Sequence, residues 1–312
     1  MEKIRVLSLF SGVGAFEEAL DNININYDLV NYCEFEPYTA KAYSLIHNVS
    51  EDLNLGDITK VDETKLEDFD LMTYGFPCQD ISALGDQKGF FDKDGNMTRS
   101  GLFFEAMRIA KYKKPKYMIA ENVRALTSKP MQPQFQEMLN MLDEMGYNSY
   151  YQILNSKDYG VPHSRNRVFI VSIRKDIDDN TFKFPIKQEL KIRACDLYDK
   201  EDVADEFYLE EKHHKYFNEF RLKKKYSSLN SDVLVCMTTK QGQKSNPQNF
   251  IQDNKGYRTL TDGELFAFQG FKREYGKLLR DNGITTSQIG YMLGNSITVT
   301  VLEYIFKNLF IV

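Results

Sequence analysis

Apolar runs of strand length alternate with helical spacings along the first 174 residues, and few folds accept that alternation. Arg5-Val6-Leu7-Ser8-Leu9-Phe10 reads as a short buried strand, Ser11-Gly12-Val13-Gly14 as a tight turn, and Ala15-Phe16-Glu17-Glu18-Ala19-Leu20 as a helix. Residues 29–33 form a second strand, and Gly56-Asp57-Ile58 closes a third short one. Further runs at 69–74, 117–120 and 167–173 complete the set. Leu102, Ala106, Ile109 and Ala110 mark one helix; Phe135, Met138, Leu139 and Leu142 mark another, ended by Gly146. This order predicts an α/β fold with a parallel sheet covered on both faces. In such sheets the chemistry gathers at the carboxyl ends of the strands.

One of those ends carries Gly75-Phe76-Pro77-Cys78-Gln79. Proline fixes φ and offers no amide donor, so the backbone feeding the thiol is preorganised. The run at 117–120 ends in Glu121-Asn122-Val123, which lets a thiol and a carboxylate from neighbouring strands face one substrate. Taken singly, Cys78 fits a buried structural thiol as well. The turn after the first strand is a partial Gly-x-Gly-x-x-Gly with Glu17 where the third glycine would stand. Glu34 follows Gly14 by about twenty residues, the distance at which an acid accepts from ribose hydroxyls. A carboxylate at Glu17 disfavours a pyrophosphate on this helix. An adenosine cofactor without phosphates fits better, and Asp57 adds an acid able to accept from an adenine amino group. Ordinary capping is the plainer reading of Glu34 and Asp57.

Beyond residue 174 the character changes. Residues 175–256 are rich in Lys, Asp, Glu and Asn, carry Arg221, Lys223, Lys224 and Lys225, and lack βα alternation. They read as a small domain inserted into a larger one built from 1–174 and 257–312. The 312 residues suffice for both. Gly294-Asn295-Ser296-Ile297 leads into a last helix bearing Val301, Leu302, Ile305 and Leu309. The stretch from Asp80 to Ser100, with Gly85, Gly89 and Gly95, reads as a long loop starting at the cysteine, and loops of that length usually serve function. The four cysteines (33, 78, 195, 236) show no Cys-x-x-Cys spacing, and the four histidines no ligand pattern, so neither metal nor disulfide is expected. No run approaches a membrane span, and the first strand is too short for a signal peptide, so a cytoplasmic, nucleoid-associated place is expected. A net charge of −5 weighs against nucleic-acid binding through bulk charge, although a basic stripe on one face suffices for phosphates.

Phe10-Ser11-Gly12-Val13-Gly14, Glu34, Gly56-Asp57-Ile58, Gly75-Phe76-Pro77-Cys78-Gln79, Glu121-Asn122-Val123, Arg165-x-Arg167 and Gly294-Asn295-Ser296 stand in the order of the DNA cytosine-5 methyltransferase family, bacterial or phage type, which the chain resembles. Pro-Cys-Gln with Glu-Asn-Val is the specific pair; the glycine turn is much less so. The likeness runs from residue 4 to about 174 and resumes at about 256. It implies a Rossmann-like S-adenosylmethionine-dependent domain with an inserted target-recognition domain. It also implies methyl transfer to C5 of a flipped-out cytosine in double-stranded DNA, with S-adenosylhomocysteine as product. A tRNA substrate, or a non-catalytic DNA-binding regulator on the same fold, are the alternatives. Arg258-Thr259-Leu260-Thr261 resembles the family's penultimate motif but has Gly263 where arginine is usual and Lys272 where proline is usual.

The resemblance assigns residues. Cys78 is the nucleophile, Glu121 the group at N3 and the exocyclic amine, Arg165 the contact to the O2 edge, and Arg167 a brace or a thiol activator. Phe10, Gly12, Gly14, Glu34, Phe35, Asp57, Ile58, Pro77, Leu102, Asn295 and Ile297 line the cofactor pocket. Gln79, Ser82, Arg99, Lys223, Lys224, Lys225, Thr238, Thr239, Lys240 and Gln241 are the expected DNA contacts. The family has glutamine at His163, where histidine offers a pH-sensitive contact. A cognate restriction endonuclease encoded nearby is a compatible partner, and a monomer is expected.

Overall fold

The computed structural model describes residues 3–77, 89–90, 94–96, 98–200, 203–210, 228–244 and 248–311. Its frame is a mixed sheet. Among the described residues six strands lie in the order β2-β1-β3-β4-β7-β5, with β1 Ile4–Leu9, β2 Tyr27–Cys33, β3 Leu71–Tyr74, β4 Tyr117–Val123, β5 Tyr147–Asn155 and β7 Asn166–Arg174. β2, β1, β3 and β4 run parallel; β7 is antiparallel to both β4 and β5. The expected parallel pairing therefore holds among four strands, and β7 alone is reversed, with the edge strand β5 running again in the common direction. Gly56-Asp57-Ile58 is not a strand. Only a single bridge, Tyr32 to Asn54, joins this stretch to the sheet, and Asp57 instead caps a 3₁₀ turn, Ile58–Lys60, by accepting from Thr59 N.

Strand side chains alternate between faces, and the packing follows. Val6, Leu71 and Ile119 join the core with α1 (Ala15–Asn22) and the last helix. Leu7, Met72 and Met118 face the opposite core, with α3 (Phe103–Lys113) and α4 (Gln132–Glu144). Between α1 and α3 comes α2 (Pro37–His47), whose proline at the first turn needs no amide donor.

The C-terminal part packs as helices: α5 (Asp262–Ala267), α6 (Glu274–Asp281), α7 (Thr286–Asn295) and α8 (Val299–Phe310). Thr261 and Glu264 form a capping box at α5, and the same Glu264 carboxylate takes two 2.8 Å bonds from the buried Arg258. On α8, Val301, Leu302, Ile305 and Phe306 are all buried, each stabilising by roughly 1.5–3 kcal/mol. The span Thr286–Phe310 is apolar enough to cross a membrane by composition, yet two-thirds of its most apolar window lies inside the protein.

Between β7 and α5 lie short elements. β6 (His163–Ser164) pairs in parallel with β9 (Leu234–Val235), and β8 (Ser228–Leu229), β10 (Asn249–Gln252) and β11 (Tyr257–Arg258) form a small sheet. Leu234, Met237 and Ile251 share one apolar cluster with Ile289 and Leu293 of α7.

Candidate active site at the strand ends

Because β2, β1, β3 and β4 are parallel, their carboxyl ends share one edge, and each delivers a motif there. After β1 the chain turns sharply. Phe10, Gly12 and Gly14 all take positive φ, at 52°, 57° and 79°. Gly14 has no alternative: a Cβ would fall 1.9 Å from Nε2 of His47, which sits 3.1 Å from the Val13 carbonyl. After β2, Glu34 closes onto this turn. Its Oε2 accepts from Gly12 N at 3.0 Å and its Oε1 from Glu36 N at 2.9 Å. Asn54 brackets the Glu34 backbone from both sides. Burial raises the Glu34 carboxyl above its ordinary range, against the pull of those amides.

Phe35, next along, stands 75 % exposed. Asp57 is half-buried, with one oxygen committed to capping. Ile58 is buried, Leu102 half-buried and Asn295 exposed, while the Ile297 side chain lies 3.6 Å from where a Cβ on Gly75 would stand. The last segment thus returns to the end of β3. Open space at Gly12 and Gly56, the exposed Phe35 ring and the two acids Glu34 and Asp57 gather at this edge of the sheet.

After β3, Phe76 is buried and its carbonyl accepts from Asn122 Nδ2 of β4 at 3.1 Å. That bond ties the chain leading to Pro77 against the strand that carries Glu121. Cys78, Gln79 and Ser82 lie outside the described residues, as do Lys223, Lys224 and Lys225. At the far end of the expected loop, Phe90 is buried and stacks on Phe103 at 5.7 Å, and Thr98 N donates to the Phe90 carbonyl. The loop is therefore anchored there rather than free to Ser100. Arg99 is exposed at the start of a short turn.

Glu121 is buried at the end of β4, and Arg167 of β7 pairs with it, Nε to Oε1, at 3.0 Å. Burial pushes its carboxyl above the usual range, while Arg167 and Arg165 pull against that rise. Arg167, expected as a brace or a thiol activator, is paired with Glu121. Arg165, expected at the O2 edge of the base, donates from Nη1 to the Met237 carbonyl and from Nη2 to the Gly294 carbonyl, both at 3.1 Å. Its neighbour Cys236, read earlier only for its spacing, lies 3.6 Å from Arg165 Nη1. Burial pushes that thiol up, but the Arg165 charge, His163 and Arg167 hold it well below the ordinary thiol range. Its depressed thiol depends on partners some seventy residues away in the chain, which local sequence does not relate to it.

Of the expected DNA contacts, Gln241 is corrected. It is fully buried, donates to Asn249 O, and accepts from Gln248 N, Asn249 N and Asn249 Nδ2. An amide so committed and fully buried holds a loop together and presents no surface to a base. Thr238 and Thr239 are half-buried, and Lys240 is exposed.

The profile of the C-5 cytosine-specific DNA methylase family matches residues 4–310. The chain belongs to that family. It is similar to the type II methyltransferase M2.ScrFI of Lactococcus lactis subsp. cremoris, 32 % identical over 98 % of this chain and 99 % of that one. It is 44 % identical to the orphan methyltransferase M.SPRI of Bacillus phage SPR over 58 % of this chain and 40 % of the relative, so the chain spans well under two-thirds of that relative's length. A solved Entamoeba histolytica methyltransferase, EhMeth, superposes with a TM-score of 0.82 at 20 % identity, covering 99 % of this chain and 98 % of its own, which establishes a shared fold.

Proposed function

We propose that this chain methylates C5 of a cytosine within a specific double-stranded DNA sequence, through a covalent bond between Cys78 and C6 of the base. The observation that carries this reading is the Glu121–Arg167 pair at the end of β4, bound through Asn122 to the strand end that leads into Pro77. Family membership implies S-adenosylmethionine, which would supply an electrophilic methyl group on a sulfonium. Phe10, Gly12, Glu34, Phe35, Asp57 and Ile297 would hold its nucleoside part. Cytosine C5 is too weak a nucleophile on its own, and addition of the Cys78 thiolate to C6 makes it enamine-like. Glu121 would meet N3 and the exocyclic amine as negative charge builds on the ring, and Arg167 would hold that carboxyl in place and face the O2 edge. Once C5 carries the methyl group, its proton leaves to a base or water and the C6–sulfur bond breaks. A stacked base cannot enter such a pocket, so the cytosine must flip out, at a cost of a few kcal/mol.

DNA with 5-fluorocytosine at the target tests this reading, because fluorine cannot leave as a proton. A stable adduct is expected with the wild-type chain and none with Cys78→Ser, whose cofactor affinity should stay near wild type. Full methylation by the serine variant would sink the covalent mechanism.

A further inference from the structure

His163 is fully buried on β6, and both of its ring nitrogens face main-chain groups. Nδ1 lies 3.1 Å from the Phe268 carbonyl, and Nε2 lies 3.0 Å from the Met237 amide nitrogen. A carbonyl only accepts and an amide only donates. The ring is therefore fixed as one neutral tautomer, with hydrogen on Nδ1 and a lone pair on Nε2. An imidazolium would press a second N–H against the Met237 N–H. The surroundings agree: burial lowers the affinity of His163 for a proton, Arg165 and Arg167 lower it further, and only Cys236 works the other way.

Met237 is held at both its main-chain groups. Its amide is held by His163, and its carbonyl takes Nη1 of Arg165. Arg165 reaches on to Gly294, where any side chain would strike the Thr238 backbone at 2.3 Å. Two residues along the same strand segment, Arg167 holds Glu121. Segments from β6, the 236–238 stretch, the end of α5 and the end of α7 thus meet through one imidazole and one guanidinium.

We propose that neutral His163 is a positioning residue that clamps the Met237 peptide onto Arg165, keeps Arg167 aligned with Glu121, and sets the acid limit of methyl transfer. This inference rests on the cytosine-5 methylation reading. Glutamine is its natural test, since one side-chain amide offers the same acceptor for Met237 N and the same donor for Phe268 O, and cannot be protonated near neutral pH.

Single-turnover methylation and KM for DNA would be measured from pH 5 to 8.5 for the wild type, H163Q and H163L, with melting curves alongside. Below the ordinary histidine range the wild-type rate should fall by on the order of tenfold per pH unit once the ring protonates. H163Q should keep its rate within about threefold of wild type at pH 7.5 and lose that acid limb. H163L should lose on the order of a hundredfold in rate with little change in KM, the scale of a small misplacement at the reacting groups. An acid limb unchanged in H163Q, an inactive but folded H163Q, or a fully active H163L would each overturn the proposal. Imidazole ¹⁵N NMR of the free protein reads the tautomer without any reaction. A chain that shows the Nδ1–H tautomer but never methylates DNA would refute the reaction assigned above and leave the clamp standing. A charged or Nε2–H imidazole at pH 7 would refute the clamp itself.

Discussion

Glu17 is a carboxylic acid placed where water does not reach. It is fully buried on the first turn of α1, and neither carboxyl oxygen has a hydrogen bond, although Ser8 and Tyr43 face it. Burial pushes its pKa up to about 7, with Ser8 and Tyr43 opposing the rise. A folded pKa above the unfolded one means that the neutral carboxyl is the form the fold accepts. Its contribution is full below about pH 4.5 and is lost as pH rises through about 7. Denaturant titrations at pH 5 and pH 8 should show the wild type losing on the order of 2–3 kcal/mol relative to Glu17→Gln. Parallel stabilities for the two proteins would mean that Glu17 stays charged without penalty.

Among the elements, α7 packs directly against loop backbone. Its Gly290 and Gly294 lie one turn apart and receive the backbone of the 238–242 loop, with no room for a methyl group. A Cβ on Gly290 would stand 2.3 Å from Gly242 N, and one on Gly242 would stand 2.4 Å from the Thr286 carbonyl. Replacing a mid-helix glycine by alanine normally stabilises by about 1 kcal/mol. Here Gly290→Ala should instead destabilise by about 1–3 kcal/mol, because backbone must move to admit it. A raised melting temperature would refute the contact. This contact was not legible in the sequence, where a Gly-x-x-x-Gly spacing says nothing of what lies against it. The parallel strands, α3, α4 and α8 were legible from periodicity alone. β5 was not, since it sits at the sheet edge with Tyr151 and Ile153 half-exposed and has no clean alternation. The reversal at β7 was hidden too, because a buried run reads the same in either direction. At the site, Glu121, Gly12 and Glu34 could be picked out because each motif is local to one strand end. The parts played by Arg165 and Arg167 depend on Met237, Gly294 and Glu121, which no spacing relates to them.

At the scale of the whole molecule, the expected division into a catalytic frame and an inserted recognition segment meets a constraint from these contacts. Sequence choice is proposed to lie in 175–256, yet the stretch from β9 to Gly242 is bonded to the frame. β9 pairs with β6, Met237 is held by His163 and Arg165, and the 238–242 loop lies on α7. Gln241 is spent in holding that loop to Asn249. Exchange of the whole segment with that of a family member recognising another site would break these bonds together with the readout. Two chimeras separate the effects. One replaces 175–233 and 250–256 and keeps Leu234 to Asn249, so that the bonds of Gln241 and Val235 to Asn249 stay in place. The other replaces all of 175–256. The first is expected to melt near the wild type and to methylate the donor's sequence, as read by bisulfite sequencing of host DNA. The second is expected to melt lower and to methylate more slowly wherever the donor places a side chain against Gly290. If the first chimera is active but keeps the original site, base recognition lies in the retained stretch, with the half-buried Thr239 and the exposed Lys240 its candidates, and the proposed division is drawn in the wrong place.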